Sequence, residues 1–141
     1  MPTLEPDQIR RLVEGARVAR LGTVDPDRGV HLVPMTFALA GDTVVTAVDH
    51  KPKSSRRLRR IANIERNHHV TLLVDHYEDD WTRLWWCRLS GIARVFYQGE
   101  EFEQAVNALV ARYEQYADAR PRGPVIRIAV THWAGWISTQ D

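Results

Sequence analysis

The chain has 141 residues, of which 44% are hydrophobic and 26% charged, and its formal net charge at pH 7 is +1. This size and composition are typical of one globular domain with its own core, and we expect a single domain over residues 1–141. No apolar run approaches the roughly 20 residues of a membrane span, and the first segment lacks the apolar stretch of a signal peptide. We therefore expect a cytoplasmic protein that does not bind membranes.

The first half of the chain predicts a helix followed by strands. Apolar residues recur at helical spacing in the stretch PDQIRRLVEGA, which favours an amphipathic helix. Arg17 to Val24 alternates apolar and polar residues, DPDRG supplies turn residues, and Val30 to Leu39 is a second extended run, so a hairpin is predicted. Pro34 lies inside the second run, where its missing N–H would weaken a central ladder. That strand is expected at a sheet edge, bulged, or opened toward a ligand.

The second half predicts four more strands and two helices. Thr43 to Val48 is a β-branched strand, followed by a turn with Lys51 and Lys53 on either side of Pro52 and then by a strongly basic helix. A long aromatic and β-branched run is broken near Ser90-Gly91, where we expect a bulge or a bend. The other predicted bounds are strand His69 to Asp75, strand Thr82 to Tyr97, helix Glu100 to Tyr116 and strand Val125 to Thr139.

This order of elements predicts an α+β protein that is mostly β. Hairpins join the strands, and only the helix between the third and fourth strands could act as a parallel crossover. A small antiparallel barrel fits that order better than a doubly wound sheet. We expect six strands and about three helices.

Positive charge gathers between the third and fourth strands. Residues 51–66 hold seven lysines and arginines against one acid, Glu65, so this segment has a charge of +6 in a chain whose total is +1. A lysine pair followed by serines at a helix N-terminus offers ammonium groups, hydroxyls and backbone N–H groups to one anion, which suits a phosphate group. The predicted phosphate ligands are Lys51, Lys53, Ser54 and Arg57.

A basic run also has simpler explanations. A solvated face on a surface helix is the commoner role of such a run. Contact with the backbone of a nucleic acid is disfavoured, because the pI of the chain is about 8.0 and no helix-turn-helix or aromatic RNA-binding signature is present. We expect no nucleic-acid partner.

The cysteine and histidine content argues against a metal site. Cys87 is the single cysteine, and its apolar setting in LWWCRL indicates a buried and unreactive thiol. The six histidines form no ligand pair at the spacings that a strand or a helix would need. We therefore predict no metal ion, and no side chain stands out as a catalytic acid or base.

Several stretches together resemble a known family. RVARLGTVDPDRGVHLVPMTFALAGDTVVTAVD, the KPK turn with its basic helix, LLVDHYEDDW followed by LWW, RYEQY and the terminal GW are similar to the split β-barrel flavin and deazaflavin oxidoreductases, the pyridoxamine-5′-phosphate oxidase-like proteins. The resemblance is greatest to their actinobacterial, coenzyme F420-dependent branch. It implies an FMN-binding split barrel and a homodimer with cofactor sites at the subunit interface. It also implies that basic residues after the third strand hold the cofactor phosphate.

By matching position, the resemblance also implies which residues line the cofactor ring. The second and third strands, the end of the fourth strand and an aromatic side chain from the partner subunit should contribute. Barrel packing is an equally good explanation for several of these residues, and the clustered tryptophans also suit a core or a dimer interface. The implied ring contacts are Pro34, Met35, Thr36, Thr46, Ala47, Val48, Val74 and Trp85.

The resemblance implies an oxidoreductase that transfers a hydride between reduced coenzyme F420 and an unidentified small organic acceptor. The missing acid or base agrees with this chemistry, because the cofactor carries the reaction. FMN is the alternative cofactor, and the surplus of arginines over the needs of one phosphate favours F420, whose tail carries extra carboxylates. The alternative function is a carrier or sensor of the same fold that holds FMN, F420 or haem without turnover.

Overall fold

The core of the protein is one antiparallel sheet of seven strands, in a computed structural model that describes residues 4–48 and 58–139. The strands are β1 (Ala19–Asp25), β2 (Gly29–Met35), β3 (Ala38–Ala40), β4 (Thr43–Ala47), β5 (His69–His76), β6 (Trp85–Phe96) and β7 (Val125–Ile137). Their order across the sheet is β2-β1-β5-β6-β7-β4-β3. Within the described residues the two edge strands, β2 and β3, do not pair with each other, so the barrel is open. The mostly β, α+β architecture is as predicted.

The strand count differs from the six predicted strands because the run from Val30 to Leu39 divides. The carbonyl oxygen of Thr36 accepts a hydrogen bond from the Thr46 hydroxyl at 2.7 Å. The next residue, Phe37, donates its N–H to the Tyr113 hydroxyl at 3.1 Å. Side chains thus satisfy backbone groups that would hydrogen-bond to a neighbouring strand if the strand were continuous. As a result, β2 ends before β3 begins.

In the described part of the chain, four α-helices and a 3-10 helix flank the sheet, where about three helices were expected. None of the described helices is long and apolar enough to cross a membrane. The helices are α1 (Pro6–Gly15), α2 (Arg59–Arg66), α3 (Glu100–Arg112) and α4 (Glu114–Asp118), and the 3-10 helix is Trp81–Arg83.

The fourth α-helix arises because the predicted helix Glu100 to Tyr116 is interrupted at Tyr113. The backbone of Tyr113 is extended, with φ −121° and ψ 122°. Its hydroxyl lies 2.7 Å from the carbonyl oxygen of Phe37 and 3.0 Å from that of Arg17. The helix is therefore interrupted where the Tyr113 hydroxyl bonds with the neighbouring backbone. This tertiary contact overrides helical propensity and is not visible in the helical periodicity.

One face of the sheet, the inner face, carries the main core. α1 packs on it through Ile9 and Val13, and α2 packs on it through Ile61 and Ile64. All four side chains are 3% exposed or less. At 25 cal/mol per Å², burying an aliphatic side chain of this size contributes roughly 1.5 to 3 kcal/mol, so both helices are held by this face.

Among the described residues, the other face, the outer face, is covered at one end only. Ala105, Val106 and Leu109 of α3 pack against Val45 and Val125 of β4 and β7. This second cluster occupies the β3-β4-β7 end of the sheet. The outer face of β2, β1, β5 and β6 is therefore the part on which a site could form.

Two sequence expectations about strand irregularity are confirmed. Pro34 lies on β2, an edge strand, where its missing N–H costs no ladder bond. The pairing of β6 with β7 shifts register at Ser90 and Gly91, the predicted break. A Cβ on Gly91 would lie 2.3 Å from the carbonyl oxygen of Ala129, so only glycine lets the two backbones approach this closely.

Candidate functional site

A groove of about 650 Å³ lies on the uncovered part of the outer face. Its walls include Val24, Val30, Leu32 and Leu73, whose side chains are 36% to 68% exposed. Apolar side chains of this size are usually buried, and contiguous exposed ones mark a ligand or protein contact. The outer-face groove is therefore the main candidate for a binding site.

Hydrogen-bonding and cationic groups interrupt these apolar walls. The hydroxyls of Thr71 and Ser90 lie 3.1 Å apart on neighbouring strands. Arg20 and Arg88 also line the outer-face groove, and the Arg88 guanidinium carbon is 5.0 Å from the ring centroid of Trp86. Apolar walls with a few fixed polar groups are typical of sites for planar organic ligands.

An ion pair between a buried carboxylate and a partly exposed arginine ties the end of β1 to the start of α2. Oδ2 of Asp25, whose side chain is 1% exposed, lies 3.1 Å from Nε of Arg59. Its Oδ1 accepts the backbone N–H groups of Asp27 and Arg28 at 2.9 and 3.2 Å. The Asp27 N–H and then the charge of Arg59 hold the pKa of Asp25 below its usual value, while burial acts the other way. The preceding residue, Val24, points to the opposite face and lines the groove, so α2 and the groove meet the same end of β1 on opposite faces of the sheet.

A second buried contact fixes α2 against the same strand. Nδ2 of Asn63 donates to Oγ1 of Thr23 at 3.0 Å, and both residues are buried. His31 lies opposite Thr23 in β2, and its Nδ1 is buried without a hydrogen-bond partner in the described part of the chain. With two contacts to β1, the position of α2 is firmly set.

The predicted phosphate ligands lie outside the described residues, and only the helix that follows them can be compared. α2 begins at Arg59, with Leu58 extended as its N-cap, at φ −65° and ψ 141°. The predicted turn and the prediction that Ser54 and Ser55 stand at a helix N-terminus lie outside the described residues. The ligands concerned are Lys51, Lys53, Ser54 and Arg57.

Most of the predicted ring contacts are packed inside the barrel. Val74 is fully buried, and Met35, Ala47 and Val48 are 6% to 8% exposed. Met35, Val48 and Val74 belong to the main core, whereas Ala47 lies under α3. These four side chains are packed in the single chain, and their contact with a cofactor ring stays a prediction.

The remaining predicted ring contacts have mixed positions. Thr46 and Thr36 are brought together by the hydrogen bond between them, and Oγ1 of Thr36 is also 2.7 Å from the Tyr116 hydroxyl. Pro34 is exposed and pairs in register with Arg20, which lines the outer-face groove. Trp85 is half-buried against the main core. Among the predicted ring contacts, Pro34 thus lies next to a residue that lines the outer-face groove.

Cys87 is buried, as its apolar setting predicted. It has no exposed surface, and burial raises the pKa of its thiol to about 11. A thiol with this pKa is protonated at neutral pH, so it is a poor nucleophile. Within the described ranges, no three His, Cys, Asp or Glu side chains lie close enough to hold a metal ion.

The sequence of β5 contains a signal for the groove that the predicted ring contacts missed. Strands exposed to water on one face alternate apolar with polar residues, whereas strands covered on both faces are apolar throughout. The stretch VTLLVD of β5 is apolar at Leu73, which points outward, as well as at the inward Leu72 and Val74. Such a two-sided pattern indicates that something covers the outer face.

Comparison with known proteins gives the family. The family model described as pyridoxamine 5'-phosphate oxidase matches residues 5–137. The chain belongs to this family. This match confirms the resemblance drawn from the sequence, and the open seven-stranded barrel is the pyridoxamine 5'-phosphate oxidase-like fold. No sequence among the curated proteins matches the chain.

Solved structures of low identity share the fold. A conserved hypothetical protein from Mycobacterium tuberculosis is 20% identical, with a TM-score of 0.76 over 95% of this chain and 85% of that one. The FAD binding protein from Mycobacterium smegmatis is 17% identical, with a TM-score of 0.64 over 96% and 97%. An FAD-binding protein from Mesorhizobium loti is 17% identical, with a TM-score of 0.65 over 95% and 93%. At these identities the likeness concerns the fold.

Proposed function

We propose that this protein is an oxidoreductase that binds a flavin-type cofactor with the ring in the outer-face groove. The groove is the observation that carries the proposal, since its volume of about 650 Å³ lies within the roughly 300 to 1,000 Å³ of small-molecule sites. Its apolar walls suit the faces of a planar ring, and its hydroxyl groups suit the ring's polar edge. Two structural neighbours are described as FAD-binding proteins, which supports the same cofactor class.

α2 starts at the end of β1 that the groove also reaches. Asp25 and Arg59 fix this start on the inner face, while the neighbouring Val24 lines the groove on the outer face. The basic segment with Lys51 and Lys53 ends just before this point in the chain. We propose that this segment holds the cofactor phosphate, as the resemblance implies, while the walls of the groove orient the ring.

We further propose that a second copy of the chain covers the outer-face groove. The exposed valines and leucines of β1, β2 and β5 need a cover, because exposed apolar area of this kind favours association. A twofold dimer would bury this face twice, once on each protomer. It would also exclude water from the cofactor, which strengthens every polar contact there.

The composition of the basic segment bears on the choice of cofactor. Four arginines follow the lysine pair, at positions 56, 57, 59 and 60, and this number favours F420, whose tail adds carboxylates to the phosphate. Arg59 already pairs with Asp25, so the surplus is smaller than the sequence alone suggests. We propose F420 as the cofactor, with FMN as the alternative.

When bound, the cofactor supplies hydride transfer to or from a small organic acceptor. The residues that line the groove in the described part of the chain include threonine, serine, arginine and histidine but no carboxylate. Such a lining can bind, orient and exclude water, which is what a hydride-transfer enzyme requires of its protein. The same lining would suit a carrier or sensor that holds FMN, F420 or haem without turnover.

Titration followed by turnover tests the proposal. The purified protein is titrated with F420, FMN and haem, and the reduced complex is then mixed without oxygen with quinone, enone and tetrapyrrole acceptors. We expect tight binding of F420 and oxidation of the reduced complex well above the rate without protein. Tight binding with no acceptor oxidised would support the carrier function, and no binding of any cofactor would refute both functions.

A further inference from the structure

Two arginines that do not line the outer-face groove lie directly opposite each other on the outer face. Arg94 of β6 and Arg127 of β7 are partners in the antiparallel register. Side chains at such positions share a face and have Cβ atoms about 4.5 to 5.5 Å apart. Like charges in this arrangement destabilise a sheet, so the pair calls for an explanation in terms of a ligand or a contact.

Neither guanidinium is neutralised within the described residues. No ion pair of Arg94 or Arg127 is found among them, whereas Asp42, next to β4, already pairs with Arg10 at 2.6 Å. The Arg127 guanidinium carbon lies 5.9 Å from the ring centroid of Phe96, a contact that supports its position without reducing its charge. Two positive charges are therefore held side by side.

The two arginines line a groove that has an apolar floor. This arginine groove has a volume of about 270 Å³ and is lined by Thr43, Ile92, Arg94, Phe96, Arg127 and Ala129. The guanidinium groups and the Thr43 hydroxyl can donate hydrogen bonds, while the other three residues offer apolar surface. Within the described residues no carboxylate lines it. The lining thus combines an anion-binding end with room for a small apolar body.

We propose that Arg94, Arg127 and Thr43 form a binding site for a small organic oxyanion. The carboxylate or phosphate of the ligand lies between the two guanidinium groups, which can bind oxyanions with two parallel hydrogen bonds each. The apolar body lies on Ile92 and Phe96. Since Ile92 also lines the outer-face groove, the two sites adjoin. This site does not depend on the identity of the proposed cofactor.

An NMR titration in phosphate-free buffer of low ionic strength tests the site. The probes are benzoate, phenyl phosphate and the uncharged benzamide, and the variants are Arg94→Gln and Arg127→Gln. We expect both anions to shift the resonances of Ile92 and Ala129, and each variant to weaken their binding by about 10-fold or more, which is about 1.4 kcal/mol. Benzamide should not bind. The relative affinity for benzoate and phenyl phosphate tells whether a carboxylate or a phosphate is the preferred group.

The control is Arg11→Gln, an exposed arginine of α1 that does not line this groove. It should bind both anions like the wild type. Thermal unfolding distinguishes a structural role of these arginines from anion binding. Arg94→Gln relieves the like-charge contact, so this variant should unfold at the same or a higher temperature while it loses anion binding. Equal binding of benzamide and benzoate, or equal affinity in Arg127→Gln and wild type, would overturn the site. Dissociation of the dimer in both variants, with anion binding unchanged, would also overturn the site, because the two arginines would then stabilise the contact with the second copy.

Discussion

The Tyr113 hydroxyl holds three parts of the chain together, and its removal should weaken the fold by a predictable amount. It accepts the N–H of Phe37 at 3.1 Å, and the carbonyl oxygens of Phe37 and Arg17 lie within 3.0 Å of it. Tyr113→Phe keeps the ring but leaves the buried Phe37 N–H and carbonyl without this partner. At about 1 to 3 kcal/mol for each of the two orphaned groups, the free energy of unfolding should fall by roughly 2 to 6 kcal/mol.

Urea unfolding followed by tryptophan fluorescence at a fixed protein concentration measures this loss. The slope of the unfolding free energy against urea should stay the same, because the surface exposed on unfolding does not change. Tyr116→Phe is the matched control, since its hydroxyl makes one half-buried bond to Thr36 at 2.7 Å. It should cost about 0.5 to 1.5 kcal/mol. Equal losses in the two variants would refute the account of why the helix breaks at Tyr113.

Three further predictions concern other buried positions. Gly91→Ala should destabilise the protein by about 2 to 3 kcal/mol in the same assay, because its Cβ would lie 2.3 Å from a backbone oxygen; Gly15→Ala, with open space around it, should cost nothing. Cys87 should resist a thiol reagent in the native protein, and its contribution to stability should be lost as pH rises from 9.0 toward 11, because its pKa is raised in the folded state; fast labelling at pH 8 would contradict its burial. Asp25→Asn should flatten the loss of stability as pH falls below 3.8, because a carboxyl whose pKa is lowered in the folded state contributes its full stabilisation above 3.8 and loses it below that pH; an unchanged acid-side profile would mean that Asp25 is not the group responsible.

The sequence predicted the elements well where local pattern decides them. The amphipathic α1, the hairpin of β1 and β2 and the break at Gly91 follow from periodicity, turn residues and glycine. The division of the second strand and the end of α3 could not be predicted in this way. Both depend on Tyr113, whose hydroxyl bonds with residues that are 76 and 96 positions away in the chain.

The candidate site was only partly predictable for a similar reason. The charge of the basic segment is visible in the sequence, but the role of Arg59 depends on Asp25, which is distant in the chain. The predicted ring contacts were placed by position along the strands, and this placement does not tell which face of the barrel each side chain occupies. Val74 and Val48 proved to point into the core, whereas the outward Leu73 lines the groove.

The phosphate contact is the most direct test of the proposed cofactor site. FMN and riboflavin differ by one phosphate, so their dissociation constants for wild type, Lys53→Ala and Arg66→Ala separate phosphate binding from ring binding. Arg66 lies in the last turn of α2 and serves as the control. If Lys53 holds the phosphate, its loss removes a contact of roughly 1.5 to 3 kcal/mol, and FMN binding weakens about 10- to 150-fold while riboflavin binding stays the same. An equal, small effect of both variants, or FMN binding no tighter than riboflavin binding, would contradict the account.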